Sequence, residues 1–337
     1  MKLKLRKVPV KVILVLICVI ALLIVIVSLL LSWEQRHYSF NTDDEDYTQY
    51  EQNSGLDEVY YNGAWYVQKP QIETILCIGV DKYEHEDTEL GVYNTEDCDF
   101  LVAVVLDHLN KTYTAIQINR DTMIEIPELG LTGELLALTE TGQIALAFTY
   151  GSGGEDSCKN AALAVSNLLS GVEIDHYIKV TMDAVSVIND AVGGVTLTAA
   201  EDYPDIGIVK GETVTLMGDN ALAYVRGRMT VGDGTNIGRM ERQRQYMTAI
   251  KDAYSAKLAT DPTLALTAIT SISEYMVSDC SIYDLSDLVN ATYEYTFEGF
   301  RVPEGESVMG EQFMEFYVDE EALEQLVFDI YYQKEDE

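Results

Sequence analysis

The chain has 337 residues, with 56 acidic and 22 basic side chains and a formal net charge of −34. That balance excludes a non-specific nucleic-acid binder, which needs a basic footprint to neutralise phosphates. Five cysteines in a chain of this length exclude a disulfide scaffold, and none of their spacings resembles a zinc site.

In chain order, Lys2, Lys4, Arg6, Lys7 and Lys11 precede an uncharged apolar run from Val12 to Ser32. At about 1.5 Å per residue the run reaches roughly 31 Å, enough to cross the hydrocarbon core of a bilayer. The basic flank before it, and Glu34, Asp43, Asp44, Glu45 and Asp46 after it, predict a cytoplasmic tail (1–11), a transmembrane helix (12–32) and an extracellular remainder. No small-x-small cleavage site follows Leu29-Leu30-Leu31-Ser32-Trp33, so the run reads as the uncleaved anchor of a single-pass cell-membrane protein. With five of the 22 basic residues and no acidic one in 1–32, the remainder carries 17 basic against 56 acidic side chains.

Residues 33–70 are polar and acidic, and read as a stalk with a short strand near 64–67. The main domain is expected over 71–260, followed by a mostly helical extension over 261–337 that packs on it. Buried strands are expected over 74–80, 100–106 and 113–119, with a hairpin turn at Asn110-Lys111. Helical patterns follow over 142–150 and about 156–169, then a strand over 176–180 and a helix to Ala191. A glycine turn at Gly193-Gly194 enters another strand, and a helix runs from Gly238 to about Leu258. Beyond it, 261–277, 284–293 and 319–331 read as mostly helical, with a strand near 299–302. This alternation predicts an α/β layered sandwich, a central mixed β-sheet covered by helices and preceded by the transmembrane helix.

Five arginines fall within nineteen residues: Arg226, Arg228, Arg239, Arg242 and Arg244. Arginine keeps its charge in any environment and forks onto phosphate oxygens, so the cluster is a candidate pyrophosphate clamp. Arg226 and Arg228, two apart on an extended segment, would project from one side. On the helix, Arg239, Arg242, Gln243 and Tyr246 share a face, while Arg242 and Arg244 suit a solvated helix surface. Asp81 ends one strand and Asp99 opens the next, so together they could share Mg²⁺ or Mn²⁺, with Asp97 as a reserve ligand. Spacing alone equally allows turn-forming aspartates. Arg120-Asp121 follows the third strand, where the arginine could bind phosphate while the aspartate orients it or acts as a base. His176 begins a strand and reads as a packed structural residue. A Cys98–Cys158 disulfide is left open.

The ordered set Ile78-Gly-Val-Asp81, Asp99, Arg120-Asp121-Thr122, Phe148-Thr-Tyr-Gly151, Ile174-Asp-His-Tyr177, Ala221-Leu-Ala-Tyr-Val-Arg226-Gly-Arg228 and Gly238-Arg239-Met-Glu-Arg242-Gln243 resembles the LytR-CpsA-Psr family. The resemblance spans roughly residues 72–258. It implies transfer of a phosphate-linked glycopolymer from a polyprenyl-pyrophosphate carrier to a peptidoglycan hydroxyl at the outer membrane face. It also implies Asp81 and Asp99 as Mg²⁺ ligands, and Arg120, Arg226, Arg228, Arg239 and Gln243 as pyrophosphate-binding residues. Asp99, Arg120, Asp121 and Arg239 are the implied catalytic group. Four positions depart from the family pattern: Asn119 replaces a proline, Gln143 a lysine, Ala145 an asparagine and Asn236 an acidic residue, and the spacer between Asp81 and Asp99 is long. Two other functions fit the same residues: a non-catalytic scaffold that binds polyprenyl phosphates, and a polyprenyl-pyrophosphate hydrolase.

Overall fold

The computed structural model describes residues 58–82, 96–130 and 133–335. Strands β1 (Glu58–Tyr61) and β2 (Ala64–Gln68) form a hairpin, followed by β3 (Ile72–Lys82), β4 (Glu96–Asp107) and β5 (Thr112–Ile118). A second hairpin, β6 (Met123–Leu129) and β7 (Leu135–Gln143), leads to α1 (Leu146–Thr149), α2 (Glu155–Leu168) and β8 (His176–Thr181). Next come α3 (Ala184–Ala191), β9 (Val195–Thr198), β10 (Thr213–Leu216), α4 (Asp219–Arg226) and the long α5 (Asn236–Leu258). Then follow α6 (Leu264–Ser271), β11 (Met276–Ser278), α7 (Ile282–Glu294) and β12 (Thr296–Arg301). The described chain closes with β13 (Gly305–Met309), β14 (Met314–Val318), α8 (Glu320–Tyr331) and β15 (Tyr332–Lys334).

Six strands pair in the order β11-β8-β3-β4-β5-β12. The β3–β8 and β5–β12 pairs are parallel and the others antiparallel. One face carries Leu76, Ile78 and Val80 of β3, Leu101, Ala103 and Val105 of β4, and Ile116 and Ile118 of β5. They pack against Phe148 of α1, Ala161 and Val165 of α2, and Leu323 and Val327 of α8. Each buried Val, Leu, Ile or Phe among them contributes about 1.5–3 kcal/mol. On the opposite face, Gln117 of β5 bonds to Gln243 and Arg244 of α5. Helices therefore cover both faces of a central mixed sheet, as the alternation of elements leads one to expect.

Several elements differ from the sequence reading. Residues 142–150 divide between the end of β7 and the single turn α1. Strand β7 is exposed along nearly its whole length, so it carries no apolar alternation that would mark it as a strand. Residues after 260 are more than a helical extension. They supply β11 and β12, the two edge strands of the central sheet, together with the β13–β14 hairpin. Residues 58–68, expected in the stalk, form a three-stranded sheet with β15, and the Tyr61 ring stacks on Phe328 at 4.0 Å. The expected tail, transmembrane helix and stalk as far as residue 57 lie outside the described residues. Among the described residues no helix is long and apolar enough to cross a membrane.

Cys98 and Cys158 are free thiols buried in one apolar cluster, so they form no disulfide. Burial pushes each thiol up to about 12, which keeps both protonated at neutral pH.

Candidate active site

The site begins with a bulge. Val80 pairs with Cys98 and Gly79 with Phe100, leaving Asp99 as the extra residue of β4. The bulge changes which residues face the core: Cys98 joins the buried cluster before it, and Leu101 and Ala103 join after it. A bulge re-aims one side chain in this way without ending the strand. Glycine is needed opposite, because a Cβ at Gly79 would stand 2.9 Å from the Phe100 Cβ.

Two guanidiniums converge on the Asp99 carboxylate. Arg120, in the turn after β5, donates from Nη1 to Oδ1, and Arg239 of α5 donates from Nη2 to the same oxygen at 3.1 Å. Arg239 is buried and Arg120 is about one-fifth exposed, at 5% and 20% of their side-chain areas. Burial resists ionisation of Asp99, but Arg239 and Arg120 outweigh it and hold the carboxyl below its usual value. Burial also lowers the Arg239 pKa, with Arg120 and Arg228 adding repulsion that Asp99 only partly offsets. Two buried cations sharing one anion leave a local positive excess, which a second anion would neutralise.

Asp121 lies beside this group, its Oδ1 3.7 Å from Arg120 Nε and accepting from Gln143 Nε2 at 2.9 Å. Burial pushes the Asp121 carboxyl above its usual value, despite the lowering fields of Arg120, Arg228 and Arg239. Two neighbouring carboxylates are thus driven in opposite directions. This pattern separates a permanently ionised group from a proton acceptor.

The turn that presents Arg120 and Asp121 is fixed by Asn119. Its Oδ1 accepts from the Asp121 amide at 3.0 Å, and its carbonyl accepts from the Thr122 amide and hydroxyl at 3.0 and 2.7 Å. The same Oδ1 accepts from Asn236 Nδ2 at 2.7 Å, and Asn236 Oδ1 accepts from Arg239 Nε and Nη2 at 3.2 and 2.7 Å. Three of the four positions that depart from the family pattern thus belong to this network. Asn119 and Asn236 bond to each other, and Gln143 holds Asp121. A neutral Asn236 orients Arg239 without cancelling its charge.

Arg226 is the last residue of α4, so Arg226 and Arg228 flank a helix end and do not share an extended segment. Arg226 is 54% exposed and reaches Asp81 Oδ2 at 2.6 Å. Arg228 acts electrostatically on both Asp121 and Arg239, and its buried Nε has no protein partner. Gln243 is buried with both ends engaged: Oε1 accepts from Gln117 and Nε2 donates to the Val225 carbonyl. It braces the chain just before Arg226.

Arg242 is buried and Arg244 half-buried. Arg242 is 3% exposed and donates to the Gly227 carbonyl at 2.7 Å, between Arg226 and Arg228. Arg244 donates to Gln117 Oε1 at 2.6 Å. Helix α5 therefore buries a polar face of Asn236, Arg239, Arg242 and Gln243. Its start is set by Thr235, whose hydroxyl accepts from the Gly238 amide, two residues before the start expected from the sequence. Sequence reasoning missed Lys179, whose buried ammonium pairs with Glu96 at 2.7 Å. The available signal was one lysine at an inward position of the otherwise alternating strand β8.

Asp81 and Asp97 are partners in the β3–β4 register, and Asp99 lies two residues further along. Asp81 and Asp99, each now held by arginine, offer only carboxylate oxygens, the donor type that Mg²⁺ or Mn²⁺ prefers together with phosphate and water.

The LytR_cpsA_psr family model matches residues 34–327. The chain belongs to the LytR_cpsA_psr family. Among relatives within it, Biofilm regulatory protein A of Streptococcus mutans is 30% identical over 188 residues, covering 52% of this chain and 43% of that protein. A polyisoprenyl-teichoic acid–peptidoglycan teichoic acid transferase TagU of Halalkalibacterium halodurans is 30% identical over 179 residues, covering 52% of this chain and 51% of that protein. The chain thus spans about half the length of these curated relatives. Among solved structures, Bacillus subtilis TagV superposes with a TM-score of 0.58 at 25% identity, covering 78% of this chain and 96% of that one. TagT bound to LIIa-WTA superposes with a TM-score of 0.59 at 20% identity, covering 78% and 90%, and supports the fold.

Proposed function

We propose that this family member transfers a phosphate-linked glycopolymer from a polyprenyl-pyrophosphate carrier to a peptidoglycan hydroxyl. The observation that carries this reading is the convergence of Arg120 and Arg239 on one carboxylate, with Arg228 beside them and Arg226 on Asp81. Four guanidiniums against Asp81, Asp99 and Asp121 make a local cationic site in a chain of net charge −34. The names of relatives such as TagU and TagV support the same substrate class.

Arg239, Arg120 and Arg228 bind the carrier pyrophosphate and stabilise the charge that grows on the departing polyprenyl phosphate. Asp121, with its raised affinity for protons, accepts the proton of the acceptor hydroxyl. That oxygen bonds to the glycopolymer-bearing phosphorus, and the bond from this phosphorus to the bridging oxygen breaks. Polyprenyl monophosphate leaves. Asp81 and Asp99 would hold Mg²⁺ or Mn²⁺, which when bound neutralises phosphate oxygens. Asn119, Asn236 and Gln143 orient these groups from behind. The apolar segment 12–32 would anchor the protein in the cell membrane, putting enzyme and carrier lipid on its outer face.

The test uses the full chain with a polyprenyl-pyrophosphate-linked glycopolymer, peptidoglycan and Mg²⁺. Attachment of polymer and stoichiometric release of polyprenyl monophosphate are expected, and both are lost in Asp99→Ala and Arg239→Ala. Wild-type rates in both variants would sink the assignment. Release without attachment would instead support hydrolysis, and binding without release a scaffold.

A further inference from the structure

The end of β3 remote from Asp81 carries a second cluster. Glu73 of β3 and His176 of β8 stand on adjacent strands, His176 pairing in register with Ile75. Asp279 and Cys280 follow β11, just before α7. One donor atom each from His176, Asp279 and Cys280 lies within 4.8 Å of the others. A cavity of about 430 Å³ opens onto these residues and is also lined by Glu73, His108 and Asp284. His176, read from sequence as a packed structural residue, is 37% exposed at its side chain.

The contacts sort into two shells. His176 Nδ1 faces Asp279 Oδ2 at 3.4 Å, and Cys280 Sγ lies 3.8 Å from Asp279 Oδ1. The opposite ring nitrogen, His176 Nε2, faces Glu73 Oε1 at 3.6 Å. Glu73 Oε2 meets His108 Nε2 at 2.6 Å, and His108 Nδ1 meets the Tyr295 hydroxyl at 2.8 Å. In a tetrahedral zinc site with metal–ligand bonds of about 2.0–2.3 Å, neighbouring donors stand roughly 3.3–3.8 Å apart. Each Asp279 oxygen stands at about that edge length from one other donor, Oδ2 from His176 Nδ1 and Oδ1 from Cys280 Sγ. A carboxylate behind the second nitrogen of a ligating histidine is the usual device for fixing the ring.

We propose that His176 Nδ1, Asp279 and Cys280 Sγ form a binding site for a zinc-class divalent metal, with Glu73 as the positioning carboxylate behind His176. Mixed nitrogen, sulfur and carboxylate donors select a borderline metal over Mg²⁺, which suits the all-oxygen set at the other end of the strand. Three protein ligands leave a fourth position to water or to Asp284 across the cavity. Binding converts the Cys280 thiol to thiolate, and its proton passes to solvent. The metal would tie the β11–α7 junction to β8, so it is independent of the transfer reaction proposed above.

Co²⁺ titration of the full chain in detergent tests this directly. One Co²⁺ per chain should produce a thiolate-to-cobalt charge-transfer band in the near ultraviolet, abolished by Zn²⁺. Cys280→Ser should lose the band while keeping the wild-type far-ultraviolet spectrum. By calorimetry with Zn²⁺, Glu73→Gln should weaken binding by about 10–100-fold, and His176→Ala by at least about tenfold. Asp99→Asn should retain the full band, which separates this site from the carboxylate pair. Absence of the band in the wild-type chain, or its persistence in Cys280→Ser, overturns the proposal. So does Zn²⁺ affinity unchanged in both His176→Ala and Glu73→Gln.

Discussion

The two ends of strand β3 handle charge in opposite ways. At the Asp81 end, the charged partners are guanidiniums that cannot lose a proton, and two of them are largely buried. At the Glu73 end, some 26 Å away at the usual strand rise, the groups are imidazole, thiol and carboxylate, half-exposed around a cavity. The first end is fixed in charge and waits for an anion. The second offers nitrogen, sulfur and oxygen donors and suits a cation. A single strand thus separates two ligand chemistries that would interfere if they were adjacent.

The sharpest way to break this contrast is to alter one end and read both. Arg239→Ala should lower the transfer rate by about 100–1,000-fold, the usual effect of removing a donor to developing charge, while Co²⁺ binding stays intact. Asp99→Ala leaves Arg120 and Arg239 facing each other without their shared anion. It should destabilise the fold by about 3–5 kcal/mol in urea titration, and inorganic pyrophosphate should recover part of the loss. Loss of Co²⁺ binding in either variant would mean the ends are not separate.

Arg242→Met removes the donor that holds the Gly227 carbonyl between Arg226 and Arg228. A charged hydrogen bond is worth about 1.5–3 kcal/mol, so KM for the carrier should rise roughly 10–100-fold with kcat nearly unchanged. The pH response distinguishes the two site carboxylates. Because the folded pKa of Asp99 is lowered, its stabilisation is present above the ordinary carboxylate value and lost as pH falls through the folded pKa. Asp121 has a raised folded pKa, so its contribution is present below the ordinary value and lost as pH rises through the folded pKa. Asp99→Asn should flatten the acid side of a Tm–pH curve, whereas Asp121→Asn should relieve a cost at neutral pH and remove the acid limb of the rate profile. The smallest stability effect belongs to the exposed Arg226–Asp81 pair. Arg226→Ala should cost under about 1 kcal/mol in urea titration.

Much of the sheet was legible because Thr74–Val80 and Phe100–Leu106 are apolar runs with the composition of buried strands. The site arginines were legible by rarity in an acidic chain. Their burial was not, since α5 turns a polar face inward and apolar periodicity has nothing to register there. Nor could spacing show that Gln243 bonds to Gln117 and Val225, which lie far from it in sequence or on another element. Edge strand β11 escaped because a short, half-exposed strand acquires its identity from the neighbour it pairs with, whereas β12 answers to the strand expected near 299–302. The histidine cluster escaped for a related reason: Glu73, His176 and the Asp279-Cys280 pair lie on three separate segments brought together by strand pairing.

The bulge at Asp99 also works as a phase shifter. Side chains along a strand obey a two-step rhythm, and one additional residue reverses the beat without lengthening the ladder on the other side. In β4 this allows Cys98 and Leu101, three positions apart, to face the same core. Deleting Asp99 would therefore do more than remove a carboxylate. It would return the strand to a single rhythm and force either the rung at Val80 or the core beyond Phe100 onto the wrong side. Replacing the residue and deleting it are consequently different experiments: substitution tests the chemistry, and deletion tests the frame that aims it.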